Sequence, residues 1–238
     1  MQIVIHEFAR SPYALIVILS VVAGFALSFL RMRKHGVSKQ VILYTGILTF
    51  VCTMATSLMF GFKITDKGIG LGFSGLGAAA GMITGVFISA LIIKDKPDII
   101  MSSFVSAAPL MYALAKTGCL LAGCCHGKEY TGPFAIVHIG GTHDGSFFPA
   151  QIIDMLAFLA IHILAVILTG RMKNKVHAIY IILAVTIPVR FLLEYLRYEH
   201  DGSLISSGQI TVLITGAITL VVVTIWKKVL KLNYSGIK

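Results

Sequence analysis

The sequence predicts an all-α membrane protein of about seven transmembrane helices, with a small outer-face cap between the fourth and fifth. Three observations predict it. The chain is 57% hydrophobic and only 13% charged, with a mean hydropathy of +0.89, whereas a soluble domain is about half apolar and about a quarter charged. Seven apolar runs each reach the roughly 20 residues that a helix needs to cross a bilayer. The basic residues gather in the short segments between those runs, which is how membrane topology is written. The net charge of +10 is therefore read as topology and not as a nucleic-acid surface.

The runs lie at approximately 12–30, 40–62, 71–93, 99–121, 150–170, 177–196 and 209–226, and form one transmembrane domain over residues 1–238. The first has no basic n-region before it and no small-residue cleavage site after it, so it reads as a span and not as a removable signal. The third is glycine-rich. Gly77, Gly81 and Gly85 recur every four residues, a spacing that lets two helices approach closely in lipid. After the fourth comes the long segment CCHGKEYTGPFAIVHIGGTHDGSFFPAQ. Its β-like run at 134–139 and its IGGTHDG turn predict a small strand segment or hairpin over the bundle, and loops of this length are often lids.

With the N-terminus outside, the inner segments hold thirteen of the twenty Lys and Arg residues and the outer segments five. This bias predicts an external N-terminus, a cytoplasmic C-terminus and the 122–149 loop on the outer face. The remaining two, Lys116 and Arg190, lie inside apolar runs.

A charge within hydrocarbon is costly and by default marks a functional site or a buried pair. Arg190, Glu194 and Arg197 follow an i, i+4, i+7 spacing, one face of the sixth helix, just after Pro188. Two readings apply. In the first, Arg190 and Glu194 neutralise each other and Lys116 snorkels to the outer head groups. In the second, Lys116, Arg190 and Arg197 make a cationic pocket for an anionic lipid head group, since a guanidinium presents a planar fork to phosphate. Gln151 and Asp154 share a face at the start of the fifth span. Asp154 reads either as the partner of a base on a neighbouring helix or as a catalytic acid. His162, deeper in that helix, reads as a hydrogen bond to a neighbour.

The order of these residues resembles the prolipoprotein diacylglyceryl transferase family over nearly the whole chain. PAQIID is similar to the family's Pro-Ser-Gln-Leu-Tyr-Glu stretch, matching at Pro149 and Gln151, with Asp154 in place of the acid. RFLLEYLR is similar to its Arg-x-x-x-Glu-x-x-Arg helix at Arg190, Glu194 and Arg197. GQITVLITG resembles the opening of its last span at Gly208 and Gln209, and SPYALIVIL its first span at Tyr13. The family signature Gly-Arg-x-Gly-Asn-Phe-x-Asn-Gly-Glu falls on AKTGCLLAGC. There Gly118 and Gly123 match, Lys116 stands for the arginine, Cys119 and Ala122 for the asparagines, and Cys124 for the acid. In the following CHGK, Gly127 matches and Lys128 stands for a second arginine. Ser74 stands in a His-Gly-Gly turn, and Thr186 at a tyrosine.

The resemblance implies a seven-span enzyme of the bacterial inner membrane. It would move the diacylglyceryl group of phosphatidylglycerol onto a prelipoprotein cysteine or another acceptor. It implies catalytic roles for Lys116, Arg190 and Glu194. It implies substrate binding by Tyr13, Ser74, Gly118, Cys119, Gly127, Lys128, Gln151, Asp154, Arg197 and Gln209. This chemistry requires no metal and no organic cofactor. Two alternatives stand beside it: a non-catalytic lipid-binding or transport protein, and a membrane thiol-redox protein. Cys119, Cys124, Cys125 and His126 cluster at the outer end of the fourth span, with His138 and His143 further along the loop. They admit a metal, a disulfide or a packing role, although C-x4-C-C-H is not a standard zinc spacing. Cys52 lies mid-span and reads as packing.

Overall fold

A computed structural model of the chain describes residues 3–6, 12–65, 68–70, 75–93, 95–139, 144–198, 200 and 204–235. Ser74, His143 and the centre of the IGGTHDG turn lie outside the described residues. Each apolar run is a helix: α1 (Tyr13–Lys34), α2 (Lys39–Gly61), α3 (Gly75–Ile92), α4 (Pro97–Leu121), α5 (Ala150–Arg171), α6 (Lys175–Leu193) and α7 (Ser207–Ser235). Six are long and apolar enough to span a bilayer. The seventh, α3, has 18 residues, about 27 Å at 1.5 Å per residue. The fold is an all-α, multi-span membrane protein.

Local chemistry starts and stops these helices. Ser38 caps α2 by accepting from the Val41 N–H at 3.3 Å, and Asn174 caps α6 by accepting from the His177 N–H at 3.1 Å. Pro97 occupies the first turn of α4 with Asp98 beside it, where no backbone donor is missed and a negative charge suits the helix dipole. Arg31, Arg33 and Lys34 sit in the last turn of α1, where positive charge is favoured. At this same end of the bundle Lys96 Nζ donates to the carbonyls of His35 and Gly36, at 2.9 Å each, and joins two short connections.

The bundle is organised around α4, which packs against α1, α3, α5 and α6. Half of its apolar stretch is buried, against 17–28% for the other five long helices. The others turn apolar side chains outward, among them Leu19, Leu43, Met59, Leu156 and Ile218, as a surface bathed in lipid tails requires. The glycines of α3 press against α2: a Cβ on Gly85 would lie 2.5 Å from the Thr49 Cα. Thr56 Oγ1 of α2 donates to the Gly77 carbonyl at 2.6 Å. Small residues thus let two backbones meet where no hydrophobic effect drives them together. His162 Nδ1 lies 2.8 Å from the Ser106 carbonyl of α4, a bond to a neighbouring helix.

The cap is a three-stranded sheet. β4 (Ile136–Ile139) pairs antiparallel with β5 (Gly145–Phe147) and parallel with β1 (Ile3–His6). The hairpin matches expectation, but the third strand does not, because periodicity cannot reveal pairing between residues more than 130 positions apart. This pairing puts the chain start and the 122–149 loop at one end of the bundle, the cap end. A two-stranded hairpin, β2 (Lys63–Thr65) and β3 (Gly68–Gly70), links α2 to α3 and was not foreseen, being too short for a strand pattern.

One expectation is corrected. Arg190, Glu194 and Arg197 do not share one helical face. The α-helix ends at Leu193, a 3-10 turn covers Glu194–Leu196, and Arg197 is extended at φ −77° and ψ 146°. Tightening of a final turn into 3-10 form is common, and it swings Arg197 off the α6 face toward α5.

A candidate active site at the cap end of the bundle

Five charged side chains from three parts of the chain meet beneath the cap. Lys116 of α4 lies 3.3 Å from Asp154 of α5, and Arg197 lies 2.5 Å from the same carboxylate oxygen. Glu194 connects Arg197, at 3.8 Å, to Arg190, at 2.5 Å. The result is one chain of contacts, Lys116–Asp154–Arg197–Glu194–Arg190, with three bases and two acids. Its inner members are nearly dry. The side chains of Asp154 and Arg197 are 2% and 7% exposed, whereas that of Arg190 is 23% exposed. Arg190 is therefore the cation with an open side.

Burial alone would push the Arg197 guanidinium down, but the Asp154 carboxylate holds it above its ordinary range. It stays charged at any working pH. Its Nη1 also donates to the Cys125 carbonyl at 3.3 Å. Lys116 is buried, with Nζ lying 5.1 Å from the Tyr112 ring centroid one turn earlier. It does not snorkel. The Asp154 carboxylate holds it inside, which corrects the reading that sent it to the head groups. Tyr112 was missed from the sequence, although its i, i+4 spacing to Lys116 was visible there.

The remaining candidate residues frame this network. Gln151 is fully buried and donates to the Cys124 carbonyl at 3.1 Å. Gly208 is pressed against Glu194, whose Cδ would lie 2.7 Å from a Cβ there, so the last span approaches the acid where it has no side chain. Gln209 does not reach the charges. Its Oε1 accepts from the Ser206 N–H at 2.8 Å and its Nε2 donates to the Phe191 carbonyl at 3.3 Å, which ties the start of α7 to α6. Gly118 faces Tyr13, the first residue of α1, whose Cδ2 would be 3.3 Å from a Cβ on Gly118. Gly127 bridges to Arg197. Lys128 is exposed and contributes its backbone N–H to the Leu196 carbonyl at 3.2 Å. His126, stacked on Phe147 at 4.0 Å, receives the Tyr198 N–H at its carbonyl at 3.2 Å. The cap is thus stitched to the chain around Arg197.

Cys119, Cys124 and Cys125 adjoin this network, all as free thiols. Hydrogen bonds from the Cys119 and Cys124 thiols push the Cys125 thiol down. Cys52 stands apart in α2, against the glycines of α3.

The sequence profile of the prolipoprotein diacylglyceryl transferase family matches residues 2–227, and so takes in α1 to α6, most of α7 and every member of the ion network. The chain belongs to the prolipoprotein diacylglyceryl transferase family. A relative from Clostridium perfringens (strain 13 / Type A), named phosphatidylglycerol–prolipoprotein diacylglyceryl transferase 2, is 24% identical over 215 residues, with 83% of each chain covered. The matched stretch carries the three basic residues of the network, Lys116, Arg190 and Arg197.

Proposed function

We propose that the protein transfers the diacylglyceryl group of phosphatidylglycerol to an external nucleophile, with a prelipoprotein cysteine thiol as the leading acceptor. The observation that supports this is the buried, net-positive network that ends in the partly exposed Arg190. A phosphate approaching from the lipid side meets Arg190 first. Lys116 and Arg197 lie behind it and add positive potential in a dry site, where electrostatic interactions are stronger than in water. Glu194 aims Arg190, and Asp154 holds Lys116 and Arg197 in position.

The step is a displacement. The acceptor sulfur forms a bond to the glyceryl carbon, the bond from that carbon to the phosphate oxygen breaks, and glycerol phosphate leaves with the electron pair. The thiol proton passes to solvent or to the departing phosphate. Charge grows on the leaving phosphate, and Arg190 and Lys116 are placed to stabilise it. The nucleophile comes from the acceptor. A purified enzyme given phosphatidylglycerol labelled in its diacylglyceryl part and a lipobox peptide should release glycerol phosphate and label the peptide. Lipid binding without release would instead support a non-catalytic lipid-binding protein, a reading favoured by Cys119 and Ala122 where the family has asparagines.

A further inference from the structure

The end of α4 does something that the transferase chemistry does not use. The Gly123 N–H donates to the Leu120 carbonyl at 3.4 Å and the Cys124 N–H to the Cys119 carbonyl at 3.1 Å, with Gly123 left-handed at φ 63°. This is a Schellman closure, which brings the side chains of the third-last helical residue and of the second residue past the Ala122 cap together. Here those residues are Cys119 and Cys124. Cys125 is also left-handed, at φ 57°, and its thiol turns back to the pair. All three sulfurs lie within 4.8 Å of one another.

We infer that Cys119, Cys124 and Cys125 form a three-thiolate site for a soft closed-shell cation, Zn(II) or Cu(I). Sulfurs bound at about 2.3 Å to one such ion stand about 3.8–4.0 Å apart, so the widest pair need close by only about 1 Å. A donor set of sulfur alone selects soft cations over Mg(II) or Ca(II). A disulfide would use two of the three and leave the third idle. The carbonyls of two ligand residues are already held: Gln151 donates to Cys124 and Arg197 to Cys125, the outer-shell support that orients ligands in metal sites. Cys125 is exposed and Cys124 half-buried, which provides an entry path and leaves a coordination position open. Binding releases the thiol protons, up to three per ion.

The test uses the full-length protein, reduced and stripped by chelator in detergent, then dialysed against Zn(II) or against buffered Cu(I). Elemental analysis should find one equivalent of one of these ions retained, and the ion should protect Cys124 and Cys125 from maleimide. Cys125→Ser should weaken retention by about 100-fold or more, since loss of an outer-shell partner alone costs roughly 10–100-fold. Cys124→Ser is the second variant, should Cys125→Ser fold poorly. Equal retention by wild type and both variants would overturn the assignment. So would a disulfide among the three in protein trapped with thiol reagent directly from cells. The readout involves no lipid turnover, so it stands or falls separately from the transferase reading.

Discussion

Arg190 and Lys116 carry like charges in unlike surroundings, and their variants should behave differently. Arg190→Ala removes the most exposed cation of the network, so the protein should still insert while turnover drops about 100-fold or more, the usual cost of losing a transition-state donor. Arg190→Lys should recover little, because an ammonium cannot copy a two-pronged contact. Lys116→Arg should keep or raise turnover, and Lys116→Ala should lose it. Full turnover in both alanine variants, measured as glycerol phosphate release, would reduce these residues to structural charges. Asp154 is a different case, because both its partners are buried. Asp154→Leu leaves Lys116 and Arg197 without their shared counter-charge, a loss of about 3–5 kcal/mol. Thermal unfolding in detergent should show a large drop for Asp154→Leu and a small one for Arg190→Ala.

Among the elements, α2 and α3 show how spacing becomes packing. Gly77, Gly81 and Gly85 were legible as a small-residue stripe, and each meets α2 at a distance that no side chain fits. Gly85→Leu should therefore separate the pair, costing about 1–3 kcal/mol as overpacking does. A lower melting temperature and poorer folded yield would register it, and an unchanged melting curve would mean that the two helices are not in close contact. The end of α6 was less legible. A 3.6-residue period continues on paper through Arg197, but nothing in the residue order marks where an α-helix tightens into a 3-10 turn. The end of α4 lies between these cases. Gly123 is a recognisable helix-stop residue, and the Schellman spacing from Cys119 to Cys124 was present in the sequence, although a search for standard zinc spacings passes over it.

At the scale of the whole molecule, β1 and β4 share a sheet, so the chain start and the 122–149 loop emerge at the same end of the bundle. The thirteen-to-five distribution of basic residues predicts that this end faces outward. A reporter fused after Lys175 should be cytoplasmic, and one inserted between Gly140 and Gly145 should be external. The same compartment for both would contradict this arrangement.

The sequence by itself determined the class of the protein, its spans and the presence of charges within them. Those properties are one-dimensional: an apolar length matched to a bilayer, and a cost for each buried charge that holds whatever the neighbours are. Its residue order also carried the family. Only the tertiary structure decided which charge answers which. Asp154 needed a base, but the choice of Lys116 and Arg197 depended on α4 lying beside α5 and on the turn that carries Arg197 away from α6. Likewise, three cysteines in seven residues became a convergent group only through two left-handed backbone positions. Ion pairing and ligation depend on distances of a few ångströms, and those distances are set by packing between segments far apart in the chain.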